Sequence, residues 1–198
     1  MLDRNHFFAA MRAPLFGGTL SQGQVAGMTR LLDVWEECYA GKYPDLRFLA
    51  YTLATTFHET ARTMQPIEEI GKGRGRAYGH PAGPWHKVYD GRDDVQLTFE
   101  RNYKFASARL AAEIGIKADL DQHPDLAMDP DIAAHIMYLG MIEGWFTGRR
   151  LGYYFSSRLE DALHARRIIN GLDNATLIAG YFRAFLSALV LLGEANAA

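Results

Sequence analysis

The 198-residue chain has a single cysteine, Cys38, so no internal disulfide can hold it together. Cys38 lies in an amphipathic helical pattern beside Val34 and Trp35 with no basic partner in view, which predicts a buried structural thiol and not a nucleophile. Surplus charge is also missing: 21 Lys and Arg against 23 Asp and Glu leave a formal net charge of -2, so there is no global drive toward nucleic acid or an anionic membrane. No run approaches the roughly 20 apolar residues of a membrane span. The most apolar segment, Thr176 to Leu192, is interrupted by Arg183 and reads as a core helix, which argues against stable membrane insertion. The start, MLDRNHFFAAMRAPLFGG, has an acid at its third position and Arg12 inside its short apolar stretch, unlike a signal peptide. The expectation is a monomer, cytoplasmic as synthesised.

What is present suits one well-buried core, with 48% hydrophobic residues in a chain short for two domains, so residues 1–198 are expected to form a single domain. Asn5 to Met11 reads as a short helix broken at Pro14 and Gly17-Gly18. Ser21 then caps a long helix with Val25, Met28, Leu31, Leu32 and Trp35 at helical spacing, ending near Gly41. Pro44 or Asp45 starts the next, which Pro66 stops near Gln65. From Gln65 to Asp94, glycines and prolines mix with basic and aromatic residues in a long loop or small hairpin region. Helical pattern returns over Leu97 to Ile114, Ile132 to about Phe146, Ser157 to Ile169, and from an Asp173 or Asn174 cap through Leu192. The fold class is mainly α, with at most a small β element in the glycine-rich region.

The stretch FHETARTMQPIEEI, Phe57 to Ile70, organises the rest. Glu59 and Glu68 straddle a forced break in the helix. On one continuous helix, residues nine apart would lie about 180° out of phase. The break is what would turn both carboxylates toward one cleft, and two such acids are what hydrolysis of a glycosidic bond requires. Glu59, ending a helix with an apolar inner face, is expected to have its pKa raised toward that of a general acid; Glu68, in a solvated loop, is expected to stay ionised as general base. Taken alone the pair does not outweigh the ordinary reading, a helix-end residue and an exposed loop charge.

Competing motifs are weaker. His58-Glu59 begins an HExxH, but the fifth position is Arg62, so no metal site is expected and His58 is read as an orienting neighbour of the acid. GKGRGRAYG, Gly71 to Gly79, lacks the spacing of a phosphate-binding loop, and its cations read as solvated. Tyr78, Trp85 and Tyr89 are of a type that stacks on sugar faces, although loop aromatics are at least as often packing anchors.

His58-Glu59-Thr60, then Tyr89-Asp90-Gly91-Arg92 followed by Val95-Gln96-Leu97-Thr98 and Asn102-Tyr103, closely resemble the core of the family-19 chitinases and the phage endolysins related to them, whose pattern is HET or HES, YxGRGxxQLT or QLS, then NY. ALHARRIINGLD, Ala162 to Asp173, resembles the family's downstream ING segment, and Asp125 to Leu151 resembles what phage-type members carry between the two. The resemblance spans about Ser21 to Asp173 and is specific only in combination.

It implies a lysozyme-like, two-lobed helical fold with a substrate cleft and a small β element. It implies Glu59 as general acid, Glu68 as second acid with Glu69 as the adjacent alternative, and Thr98 as the hydroxyl that holds the attacking water. Gln96 and Asn102 match sugar-contacting positions, Arg167 and Asn170 match the downstream segment, and His58 and Tyr89 complete the expected substrate-binding set. The implied chemistry is single displacement with inversion at a β-1,4 linkage of an N-acetylated amino-sugar polymer, with no cofactor. Peptidoglycan cleavage by an endolysin-type muramidase, acting on the wall after release, is the leading expectation. Chitin or chitooligosaccharide hydrolysis is the second, and a catalytically silent glycan-binding or phage structural protein the third. One departure stands out: Gly91-Arg92 is followed by Asp93 where the family has glycine, which either reshapes the groove or reduces activity.

Overall fold

The computed structural model describes residues 2–195, with side chains as far as residue 190. Among them are six α-helices: α1 (Arg4–Phe16), α2 (Gln22–Val34), α3 (Leu46–Glu59), α4 (Glu100–Ile114), α5 (Pro130–Glu143) and α6 (Ala175–Ala195). The one strand pair is a short antiparallel hairpin, β1 (Phe155–Ser156) and β2 (Leu159–Glu160), with Phe155 opposite Glu160. The chain divides into two compact units. One runs to Met64 and resumes at Tyr138; the other is Gln65–Met137, so the division falls within α5. Among the described residues no helix is long and apolar enough to cross a membrane.

The first unit is built on α6, against which α1 and α3 pack. Phe7, Met11 and Leu15 recur every four residues along α1, and all three are buried. That stripe explains why α1 continues through Pro14, where the sequence predicts a break. Pro14 is exposed while Leu15 is anchored in the core, and the helix closes on Gly17 at φ +64°. Phe7 stacks on Phe185 at 6.3 Å, Tyr51 packs on Phe182 at 5.9 Å, and Phe57 meets Tyr181 edge-on at 4.8 Å. Ser21 and Gln24 form the capping box that starts α2.

After α2 the chain winds into a π-helical turn, Trp35–Tyr39. In this wider turn Trp35 and Tyr39 are on the buried face, clustered with Tyr138 at 5.2 and 5.1 Å, and Cys38 is turned out to solvent. The expected buried thiol is therefore exposed. The hairpin closes just ahead of and within the stretch read as helical from Ser157, with β2 inside it, and a 3₁₀ turn, His164–Ile168, follows; in the glycine-rich region the β element is no more than an isolated antiparallel bridge.

In the second unit Tyr89, Val95, Leu97, Tyr103, Ala106 and Leu110 are buried. Glycine-rich turns lead to two isolated antiparallel bridges, Ala82 with Lys87 and Arg92 with Leu97. α4 starts at Glu100, three residues after the sequence places it, because the Arg92 bridge takes Leu97 and the Phe99 amide donates to the Tyr89 carbonyl at 3.0 Å.

Candidate active site

Asp45 caps the start of α3 by accepting from the Arg47 amide at 3.0 Å, and Glu59 is its last residue. The helix stops there, six residues before Gln65, and Pro66 is not the cause. The Thr60 hydroxyl donates to the Thr56 carbonyl at 2.7 Å and accepts from the Met64 amide at 3.1 Å. It thereby closes a tight loop in which Ala61, Arg62 and Met64 all have positive φ. The Gln24 side chain donates to the Arg62 carbonyl at 3.0 Å and pins that loop to α2.

Glu59 is met by a buried cation. Arg166 Nη1 donates to Glu59 Oε1 at 2.5 Å, and the Glu59 side chain is 16% exposed. Arg166 itself is buried and carries a second acid: Nη2 lies 3.0 Å from Asp173 Oδ2, and Nε donates to the Asp173 carbonyl at 3.1 Å. The Arg166 guanidinium draws Asp173 below the usual carboxylate range, with a smaller push from His58, whose ring is half-buried at the end of α3. Asp173 is thus spent on Arg166, and α6 opens after Asn174, which has φ +56°.

Sequence reasoning missed Arg166 and named its neighbour. In the 3₁₀ turn Ala165, Arg166 and Ile168 face inward while Arg167 is exposed, its carbonyl accepting from the Thr147 hydroxyl at 2.6 Å. Asn170 is exposed as well, and its amide donates to the Arg166 carbonyl at 3.1 Å. The Arg166-Arg167 doublet was the available signal, with Asp173 seven residues on.

In the second unit Glu68 is held by two cations. Lys72 Nζ lies 2.9 Å from Oε2, and Arg92 Nη2 lies 3.0 Å from Oε1. Hydrogen bonding to Lys72, then the Arg92 charge, keeps the Glu68 carboxyl below its ordinary range, in line with an ionised base. Glu69 is occupied differently: it accepts from Tyr78 Oη at 3.2 Å and the Gly91 amide at 3.3 Å, and its own amide donates to the Gly91 carbonyl at 2.7 Å. Glu69 is thus tied to Tyr78 and to the Gly91 backbone.

Arg92 is almost fully buried and organises this unit. Its Nη1 lies 2.9 Å from Oδ1 of fully buried Asp90 and 3.4 Å from Tyr103 Oη, which itself donates to the Asp90 carbonyl at 2.7 Å. Burial pushes the Asp90 carboxyl up, against the pull of Arg92.

Thr98 follows the Arg92–Leu97 bridge and is half-buried. Among the described residues its hydroxyl has no hydrogen-bond partner, while its carbonyl accepts from Asn102 Nδ2 at 2.7 Å. Gln96, at φ +63°, donates to the Ile67 carbonyl at 3.1 Å and so ties the Thr98 segment to the Glu68 segment. Tyr89 is 1% exposed, donates to the Asp121 carbonyl at 2.6 Å and packs edge-on against Tyr103. It is a packing anchor and has no face to offer a sugar, which corrects its place in the expected substrate-binding set.

Asp93 is fully buried at φ +80°. The position has the backbone conformation that suits glycine, and Asp93 holds it by accepting from the Val95 amide, an Asx turn. With the side chain turned wholly inward, Asp93 offers no contact to a ligand.

No protein-family model matches the chain, and no curated protein matches it. Solved structures do. Chitinase C from Streptomyces griseus aligns over 96% of this chain and 92% of its own, at 21% identity with a TM-score of 0.56. A point mutant of chitinase C aligns over the same shares at 20% identity and 0.54. A bacterial family 19 chitinase, described as differing from plant enzymes, aligns over 95% of this chain and 94% of its own at 20% identity and 0.50. At this identity the likeness is one of fold. The chain has the mainly helical, lysozyme-like fold expected from its sequence, across nearly its whole length.

Proposed function

We propose that the protein is a glycoside hydrolase that cleaves β-1,4 linkages in polymers of N-acetylated amino sugars by single displacement with inversion. The observation that carries this reading is that two acids predicted from the sequence, Glu59 and Glu68, are each met by a buried arginine, Arg166 and Arg92. The fold shared with chitinases supports it by analogy.

In this reading Glu59 gives its proton to the leaving oxygen, and Glu68 takes a proton from the attacking water. The Thr98 hydroxyl, unengaged among the described residues, holds that water. Arg166 is a positioning residue for Glu59, fixed in turn by Asp173. When substrate enters, Glu59 gives up its guanidinium contact, takes a proton from solvent and turns that proton toward the glycosidic oxygen. Arg92 and Lys72 keep Glu68 ionised while it waits for water. Peptidoglycan is the proposed polymer; chitin is the second reading, favoured by what the similar solved structures are.

The test is clearing of permeabilised Gram-negative cells in parallel with colloidal chitin hydrolysis, for wild type, Glu59→Gln and Glu68→Gln. Clearing lost in both variants supports a wall hydrolase. Chitin cleavage without clearing moves the assignment to chitinase, and cleavage of neither overturns the enzyme reading. NMR of the first product distinguishes the stereochemistry: an initial α anomer supports inversion, and an initial β anomer rejects it.

A further inference from the structure

The second unit contains a cavity of about 840 Å³, within the range of small-molecule sites. Lys72 and Arg92, the two cations that hold Glu68, form part of its lining, so it borders the proposed base. The charges around it do not cancel. Lys72 is paired with Glu68, and Arg92 with Asp90 and Glu68, with Asp125 3.4 Å from Nε. Arg74 and Lys87, also lining, have no ion-pair partner among the described residues. His80 and His123 add two further imidazoles.

The backbone points the same way. Gly71, Gly73 and Gly75 all have positive φ, and the amides of Lys72, Arg74 and Arg76 each donate to the carbonyl three residues back. The Gly75 amide on the cavity wall donates to no group among the described residues. Lys72 has positive φ too, and across Gly73, Arg74 and Gly75 the sign of φ alternates, a run that turns amides toward a bound anion. Val88, Pro124 and Leu126 give the same cavity an apolar side.

A neutral glycan would leave Arg74 and Lys87 without a counter-charge. We propose that this cavity is an anion subsite that takes the carboxylates of a peptide-substituted amino-sugar glycan, the apolar side receiving the peptide's aliphatic groups. The proposal rests on the glycan-hydrolase reading above and selects peptidoglycan over chitin within it. Free phosphate shares the charge but has nothing to place against Val88 and Leu126.

The experiment compares wild type with the double variant Arg74→Ala, Lys87→Ala, which leaves Glu59, Glu68, Lys72 and Arg92 intact. Soluble peptide-bearing glycan chains and chitooligosaccharides of equal sugar count are the substrates. Removing two exposed charge contacts is expected to lower kcat/KM on the peptide-bearing chain about tenfold. The chitooligosaccharide rate should stay within about twofold. Equal losses on both substrates, or none on either, would overturn the subsite.

Should the wild type cleave neither substrate, the hydrolase reading fails and binding still decides the subsite. In NMR titration a disaccharide tetrapeptide shifts cavity amides in the wild type and much less in the double variant if the subsite is real. Absence of shifts, or inorganic phosphate binding as tightly, overturns it.

Discussion

Glu59 Oε1 and Arg166 Nη1 are 2.5 Å apart, joining the end of α3 to a 3₁₀ turn 107 residues later in the chain. Arg166 is buried and also holds Asp173, so removing it leaves two acids without their cation. Arg166→Ala is expected to cost about 3 kcal/mol of stability, the scale for breaking a buried pair. Arg166→Lys should restore much of that stability but not turnover, because an ammonium cannot span Glu59 and Asp173 with a planar fork. The measurement is thermal unfolding alongside kcat and KM. Restored stability with wild-type kcat in Arg166→Lys would exclude a positioning role for the fork.

Lys72 offers a test of the base. It is the largest contributor to the lowered pKa of Glu68. Replacing it with Met should raise that pKa. A general base works only when deprotonated, so the acidic limb of the pH–rate profile should move to higher pH, with the alkaline limb unchanged. An acidic limb that stays in place would mean that Glu68 is not the group titrating there.

The readable parts of the sequence were those settled by neighbours in the chain. The Ser21–Gln24 capping box and the Asp45 cap each need only a few residues, and they start α2 and α3 where the pattern says. Glu59, Glu68 and Thr98 were singled out by the same short motifs. The errors came where distant packing decides. Leu15 in the core carries α1 through Pro14, and in the π turn Tyr39 is buried while Cys38 is exposed. No local signal says that Arg166 and not Arg167 turns inward. Tyr89 reads as a loop aromatic until its hydroxyl is seen on the Asp121 carbonyl. Thr60 ends α3 through its own side chain, a hydrogen bond that periodicity does not register.

Gly91 is fixed by close approach. A Cβ there would lie 2.5 Å from Gln96 Oε1 and 3.3 Å from Glu69 Cβ. Gly91→Ala should push the Gln96 side chain off the Ile67 carbonyl and cost about 1–3 kcal/mol, as overpacking does. Gln96→Ala alone should cost less, and the double variant should recover part of the Gly91→Ala loss. A double-mutant cycle on unfolding free energies reads the coupling directly. Strict additivity would show that the Gln96 contact is not what forbids the methyl.

Asp93 is the position where stability should depend on pH in an unusual sense. Burial pushes its carboxyl well above the usual range, more strongly than the Val95 amide and its neighbours pull it down. The folded state therefore binds the proton more tightly than the unfolded chain. Folding is favoured below the unfolded pKa, near 3.9, and the contribution becomes a penalty as pH rises through the folded value. Asp93→Asn keeps an oxygen for the Val95 amide, tolerates the positive φ and has no proton to lose. Its melting temperature should exceed that of the wild type by roughly 2–4 °C at neutral pH, the shift expected for about 1 kcal/mol in a domain of this size. The difference should shrink toward pH 4. Asp93→Gly also removes the charge and suits φ +80°, but it gives up the Asx turn and loosens the unfolded chain, so it should gain less. Melting curves from pH 4 to 8 for the three proteins separate these effects. A wild-type curve parallel to that of Asp93→Asn at every pH would mean that Asp93 does not titrate in this range.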